Sequence, residues 1–330
     1  MESVPHGSMR AIVCRRWGDP DDLRLESVPE PALRPGGVRV AVRAAGVNYA
    51  DLLTIAGRYQ ENPPLPFVPG FEVAGEIVEM AADVRGARIG DRVMGMLPHG
   101  GYAQTAVLPA AGALPIPPSL DFARAAGFPV AYGTAYGALV WRARLRPRER
   151  LLVLGAAGGV GLAAVEIGRA LGATVIAVAA GDERLALARA HGADHLIDRL
   201  REDVAERVGE IASGAGADVV FDPVGGEAFE AGLRCIASEG RLVVVGFASG
   251  RVGQLSAGVA LGKNIDLIGC YWGAYRNDDR VRKAYEELSR WLEAGRLAPH
   301  VGASFPLAEA ARALRALRDR EVGGKIVLTP

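Results

Sequence analysis

Leu151–Gly161, LLVLGAAGGVG, decides how the rest of the chain is read. Four consecutive apolar residues, Leu151–Leu154, form a short continuous run rather than an alternating one, which predicts a parallel strand buried on both faces. A glycine-rich turn follows, and behind it Leu162–Leu171 is a helix-forming run. Written as Ala156-x-Gly158-x-x-Gly161, the turn is a dinucleotide fingerprint with alanine in place of its first glycine. In such a turn Gly158 lets the main chain approach a pyrophosphate and Gly161 lets the new helix pack closely on the strand. The helix N-terminus offers N–H groups and a positive dipole end to the anion. Glycine-rich turns that only change direction are common, so the strand before and the helix after carry the reading.

Downstream of Arg150 strands and helices alternate. Strands are expected near Leu151, at Thr174–Val178, His195–Ile197, Asp218–Phe221, Arg241–Val245 and Ile265–Cys270. Helices are expected at Glu183–His191, about Asp203–Ala212, about Phe229–Ile236 and, after the last strand, at Arg280–Ala294. That order specifies an α/β fold with a doubly wound parallel sheet of the Rossmann kind. Upstream, from Arg10 to about Phe122, the sequence is all-β in character. Runs at Arg10–Cys14, Val38–Ala44, Glu72–Met80, Arg92–Met96 and Gly101–Val107 are separated by proline and glycine punctuation. From Asp121 the character turns helical. The tail, FPLAEAARALRALRDREVGGKIVLTP, predicts a helix and a closing strand able to rejoin the first domain. The β domain is then discontinuous, residues 1–122 and 297–330, around a cofactor domain of 123–296, with a cleft where ligands usually sit.

Composition narrows the class. The chain has 330 residues, about two domains, of which 50% are hydrophobic and 23% charged, with a formal net charge of zero. Nothing suggests a nucleic-acid surface or an anionic membrane. Cys14, Cys235 and Cys270 are isolated, without zinc spacing or a disulfide framework, which fits a reducing, cytoplasmic setting. No apolar run approaches the roughly 20 residues needed to span a bilayer, and no signal-peptide pattern opens the chain. The first eight residues, MESVPHGS, read as an extension before a natural-looking start at Met9. Only Lys263, Lys283 and Lys325 are lysines, so an arginine at any one position says little about selection for guanidinium chemistry.

A site selective for NAD would place a carboxylate at the end of the second strand, about twenty residues past the glycine turn, to meet the ribose hydroxyls. Ala179 stands there, followed by Ala180 and Gly181. The missing carboxylate removes a repulsion against a 2′-phosphate, and Arg184 and Arg199 lie close in sequence. One charge-assisted bond from either contributes about 1.5–3 kcal/mol, roughly ten- to a hundredfold toward NADPH. Asp182 works against the phosphate, and both arginines could be solvated surface residues. Asp222–Gly226 (DPVGG) and Val245–Gly250 (VGFASG) fall at the carboxyl ends of later strands, where loops reach a nicotinamide or simply turn. The five histidines, His6, His99, His191, His195 and His300, show no metal-ligand spacing. His99 reads as a solvated loop residue rather than a proton relay.

The motifs GVNYAD (Gly46–Asp51), PGFEVAGEI, AAGGVGLAAVEIGRALGA, GADHLID, FDPVGG, IGCYWGAY and GGKIVL together resemble the zinc-free medium-chain dehydrogenases/reductases of the NADPH:quinone oxidoreductase, or zeta-crystallin-like, group from Met9 to Pro330. The resemblance implies a GroES-like β-barrel catalytic domain beside the Rossmann domain. Zinc-dependent relatives carry cysteine where this chain has Asn48 and histidine where it has Phe71, so zinc is not expected. By similarity Asn48, Thr134, Val224 and Phe247 frame a nicotinamide, and Gly158, Gly159 and Val160 line its pyrophosphate turn. Gly181, Arg184 and Arg199 reach toward the 2′-phosphate, and Arg320 matches an arginine that approaches the cofactor in some relatives. Several members carry a tyrosine where this chain has Leu53, leaving Tyr49, Tyr59 or water as proton donor. The implied reaction is hydride delivery from NADPH to a quinone or another conjugated enone, with Asn48 positioning the cofactor or polarising the acceptor. Reduction of a 2-enoyl thioester, or a nicotinamide-binding structural role with little turnover, are the alternatives. Relatives pair the strand of IDLIGCYW across a twofold axis, so a homodimer is expected.

Overall fold

The computed structural model describes residues 7–276 and 278–330; His6 and most of the opening extension lie outside them. The chain forms two compact units, one from the N-terminal part through Val130 together with Pro299–Pro330, the other from Ala131–Ala298.

The first unit starts with β1 (Ser8–Val13) and β2 (Arg24–Pro29), an antiparallel pair. Next come β3 (Gly37–Val47), α1 (Tyr49–Ile55), β4 (Glu72–Met80), β5 (Arg92–Met96), β6 (Thr105–Pro109), β7 (Leu114–Pro115) and α2 (Phe122–Ala126). β3 alternates as a half-buried strand should: Val38 and Val40 are fully buried while Arg39 pairs with Glu79 at 2.6 Å. The run expected to pair from Gly101 joins the sheet only at Thr105. Gly101 and Tyr102 donate instead to Gly70 and Pro69 carbonyls, and the Tyr102 carbonyl accepts from Ile12. Those bonds hold Gly101–Ala103 out of the ladder.

α3 (Pro129–Tyr136) starts in the last two residues of the first segment and continues into the second unit, which then alternates. In order come β8 (Arg150–Leu154), α4 (Gly159–Ala170), β9 (Thr174–Ala179), α5 (Asp182–Ala190), β10 (His195–Asp198), α6 (Val204–Ile211) and β11 (Ala217–Asp222). α7 (Glu227–Cys235), β12 (Ile236–Val244), α8 (Ala257–Lys263), β13 (Asp266–Gly269) and α9 (Asp279–Glu293) complete it. The six strands lie in the order β10-β9-β8-β11-β12-β13, all parallel. β8, the strand read first, is therefore central, with Leu151, Leu152 and Val153 fully buried. Strand order reverses between β8 and β11, and the carboxyl ends of those two strands mark the topological switch point where such sheets take ligands. Helix α7 ends one residue earlier than expected because Ile236 enters β12 without an intervening loop. α8 escapes a periodicity argument altogether: it carries two glycines and buries none of its residues.

The tail adds β14 (Val301–Pro306), α10 (Ala310–Arg318) and β15 (Lys325–Thr329). β15 pairs antiparallel with β3, Ile326 opposite Val47, so the closing strand does rejoin the first unit. Ala313 and Leu314 of α10 and Ile326 and Leu328 of β15 share one buried cluster with Val40, Ile77 and Leu108. Burying a side chain of that size contributes roughly 1.5–3 kcal/mol, so the tail is a structural part of this core. The six-strand path is β14-β15-β3-β4-β5-β7, with β6 on β3.

Candidate functional site

The turn from β8 into α4 is built by three glycines with separate duties. Gly155 takes φ +63°, a left-handed conformation that disfavours other residues, so the tight-turn glycine sits one position before the Ala156 to which the fingerprint assigned it. Ala156 is fully buried and donates its N–H to the Val178 carbonyl at 3.0 Å. Gly158 is the exposed N-cap of α4. A Cβ at Gly161 would stand 2.2 Å from the Gly155 carbonyl oxygen, so this helix can approach the turn only without a side chain there. Gly159 and Val160 occupy the first turn, whose N–H groups have no partner within the helix. These are the donors an anion would meet, at the positive end of the helix dipole.

At the end of β9, Ala179 is buried and offers no carboxylate. Gly181 caps α5 with φ +80° and donates its N–H to Asp198 Oδ1 at 3.1 Å; Leu200 donates to the same oxygen at 3.0 Å. Those backbone bonds, Leu200 foremost, hold the Asp198 carboxyl below the usual range. Arg184 is half-buried in the first turn of α5, and Arg199 is exposed, its backbone N–H on the Ala179 carbonyl. Arg201, which sequence reasoning missed, pairs with Asp182 at 2.7 Å. The one nearby carboxylate expected to repel a phosphate is thereby matched by a guanidinium.

The loops after β11 and β12 are tied into one surface. Val245 donates to the Asp222 carbonyl, Ala248 to Pro223 and Ser249 to Val224. Asp222 Oδ1 accepts from Val224 at 2.8 Å and Gly225 at 2.9 Å, while its buried Oδ2 has no hydrogen-bond partner, and burial raises this carboxyl. The Phe247 ring lies against Gly225, and Val224 Cγ2 sits 2.9 Å from where a Gly155 Cβ would be. Val224, Phe247 and the glycine turn thus form one neighbourhood. Thr134 is 7% exposed on α3.

In the first unit, Asn48 follows β3 directly and caps α1. Its backbone N–H donates to Asp51 Oδ2 at 2.8 Å, and its side chain is held elsewhere: Nδ2 donates to Glu72 Oε1 at 2.9 Å, and Oδ1 accepts from Lys325 Nζ at 2.7 Å. Lys325 also donates to Glu72 Oε1 at 2.7 Å and to the Val47 carbonyl at 3.0 Å. Glu72 Oε2 accepts the Val130 N–H at 2.7 Å. A Cβ at Gly46 would lie 2.2 Å from Glu72 Oε1, so the glycine that opens GVNYAD makes room for this carboxylate. Beside the network, Asp51 is fully buried and accepts from Tyr102 Oη at 2.8 Å and Gly70 N–H at 3.1 Å. Burial pushes its carboxyl up to about 7, against the bonds from Tyr102 and Asn48 and the charge of Lys325.

Tyr49 is half-buried at the start of α1, and the Tyr59 ring lies 5.4 Å from that of Phe71. Arg320 is exposed, in a left-handed conformation (φ +57°) just past α10. The donor set does not suit a zinc ion. Phe71 packs on Tyr59, the Asn48 amide faces an ion pair, and a dication here would confront the Lys325 ammonium. Among the described residues no three His, Cys, Asp or Glu side chains are grouped to hold a metal. Lys325 and Glu72 were legible only as members of motifs. The signal for Lys325 was its type: it is one of three lysines in a chain that otherwise uses arginine.

Comparison with known proteins agrees with this architecture. Residues 34–118 match the model of the alcohol dehydrogenase GroES-like domain, and residues 159–294 match that of the zinc-binding dehydrogenases. The quinone oxidoreductase-like protein 2 homolog of Nematostella vectensis is 39% identical over 99% of this chain and 91% of its own. The quinone oxidoreductase of Pseudomonas syringae superposes with a TM-score of 0.91 at 31% identity, covering 98% of this chain and 100% of its own. Escherichia coli quinone oxidoreductase, solved in complex with NADPH, gives 0.91 at 28% identity over 97% of this chain and 100% of that one.

Proposed function

The chain belongs to the quinone oxidoreductase group of the medium-chain dehydrogenases/reductases, and we propose that it is an NADPH-dependent, zinc-independent reductase of quinones or other conjugated enones. The observation that carries this reading is the β8–α4 turn, whose three glycines leave an open helix N-terminus for a diphosphate. In this reading Gly158, Gly159 and Val160 hold the pyrophosphate. Gly181, Arg184 and Arg199 hold the 2′-phosphate, with Arg201 neutralising Asp182. Thr134, Val224 and Phe247 frame the nicotinamide, and Arg320 adds a peripheral charge.

When bound, the reduced nicotinamide supplies a hydride from its C4. The electron-poor acceptor then gathers charge on an oxygen remote from the attacked atom, and a few fixed hydrogen-bond donors stabilise it without a Lewis acid. Asn48 orients the reacting partners, and Tyr49, Tyr59 or water returns the proton. Zinc-independence is supported by the Lys325 ammonium standing against Asn48 and Glu72. We take the working form to be a cytoplasmic homodimer.

The test is NADPH oxidation against a panel of quinones, enones and enoyl thioesters, with NADH in parallel. Turnover of quinones or enones with an NADPH preference of about tenfold or more is expected. A marked preference for enoyl thioesters would move the chain to thioester reduction. Binding of NADPH without oxidation by any acceptor would leave a structural or regulatory protein.

A further inference from the structure

Lys325, Glu72 and Asn48 are bonded in an order that chemistry allows in one sense only. An ammonium donates and cannot accept; a carboxylate facing two donors accepts. Glu72 Oε1 receives both Asn48 Nδ2 and Lys325 Nζ, while Lys325 Nζ also gives a hydrogen to Asn48 Oδ1. Turning the Asn48 amide by half a revolution would aim its NH2 at the ammonium and its oxygen at the carboxylate, exchanging two favourable charge-assisted bonds for two repulsions.

The ion pair is itself immobilised. All three ammonium hydrogens are used, the third on the Val47 carbonyl at 3.0 Å, and Glu72 Oε2 is held by the Val130 N–H at 2.7 Å. Their side chains are 8% and 0% exposed. The lysine stem runs past Gly127, where a Cβ would lie 3.2 Å from Lys325 Cβ and Cγ. Asn48 is left with one uncommitted Oδ1 lone pair and an Nδ2 hydrogen whose remaining contact, the Gly46 carbonyl, is long at 3.4 Å.

We propose that Lys325 and Glu72 are positioning residues that lock the orientation of the Asn48 amide, and so fix which atom of it meets the reacting partners. The proposal rests on the assignment of Asn48 to the reaction made above. Neither charged residue touches substrate; both act through Asn48.

The test combines side-chain amide NMR with a mutant cycle. In the unsubstituted protein, 15N-resolved spectra are expected to show one Nδ2 proton of Asn48, the one donated to Glu72, protected from solvent exchange. Two rapidly exchanging Nδ2 protons would overturn the lock without any variant having to fold. Glu72→Gln/Lys325→Met removes both charges together, so that no unpaired buried ion remains. In it the protected proton should be lost and turnover should fall tenfold or more with the KM for the acceptor little changed. Adding Asn48→Ala to that background should then cost less than twofold, because the pair acts only through Asn48. Multiplying effects, or an undisturbed Asn48 amide in the double variant, would overturn the proposal. Asn48→Ala alone separates the two readings: unchanged turnover there defeats the role of Asn48, whereas reduced turnover with an inert Glu72→Gln/Lys325→Met defeats the lock.

Discussion

Gly158 and Gly161 stand three residues apart in one turn and are expected to fail differently when given a methyl group. A Cβ at Gly161 meets backbone atoms of Gly155 and Ala156 at 2.2–2.9 Å, none of which can swing aside, so α4 must shift. Overpacking of that kind typically costs about 1–3 kcal/mol, and Gly161→Ala should lower the urea midpoint as well as weaken NADPH binding. At Gly158 the nearest atom to a new Cβ is the Gly155 carbonyl oxygen at 3.4 Å, an ordinary contact. Gly158→Ala should therefore keep its urea midpoint and lose affinity for NADPH, read by quenching of tryptophan fluorescence. Unchanged affinity in a folded Gly158→Ala protein would show that the diphosphate does not approach this residue. The same turn measures what single residues disclose in a sequence. Gly158 and Gly161 stood out by spacing, but the left-handed position at Gly155 did not, because a backbone dihedral leaves no mark beyond residue type.

At the scale of elements, α1 is fastened through a carboxyl that water does not reach. Asp51 is bonded by the N–H of Asn48, the N–H of Gly70 and the hydroxyl of Tyr102, with Lys325 and Glu72 nearby. Burial raises its pKa to about 7 in the folded chain, against about 4 when unfolded. Between those values the native state keeps a proton that the unfolded chain has released, so this group stabilises the fold most below pH 4. Its contribution falls as pH rises toward 7, with a slope of up to about 1.4 kcal/mol per pH unit. Carboxyls held low by arginines, such as Asp218 beside Arg150, oppose that trend only at lower pH. Asp51→Asn should flatten stability between pH 4 and 7 relative to the parent, measured by urea unfolding at half-unit steps. An unchanged difference across that window would show that Asp51 does not hold the proton. Elements were legible where burial is periodic or continuous, as in β8 and α4. β2 and β14 were missed because their residues are half-buried with no fully buried face, and α8 because nothing in it is buried. Side-chain networks between distant segments were not legible at all: Lys325 and Asn48 are 277 positions apart, and only the fold brings them within a bond.

For the whole molecule, the open side of β13 is the feature a lone chain leaves unresolved. It is the edge of a six-strand parallel sheet, and among the described residues its outer side pairs with no other strand. Leu267 on it is 49% exposed, and α8, which leads into it, presents Leu261 at 79% and Val259 at 39%. An open edge with exposed large apolar side chains is an adhesive surface that natural proteins cover, and a second copy related by a twofold axis would cover it with the same residues. Sedimentation velocity is accordingly expected to give a dimer of twice 34.6 kDa at micromolar concentration. Leu267→Asp places two like charges near each other across the axis and a carboxylate in an apolar contact, so it should shift the boundary to the monomer with the circular dichroism unchanged. NADPH binding by that monomer should persist, because the glycine turn opens at the carboxyl end of β8, three strands inward from β13 in the same sheet. A Leu267→Asp protein that still sediments as a dimer would remove this edge as the interface, and a parent chain that stays monomeric at every concentration would remove the dimer itself.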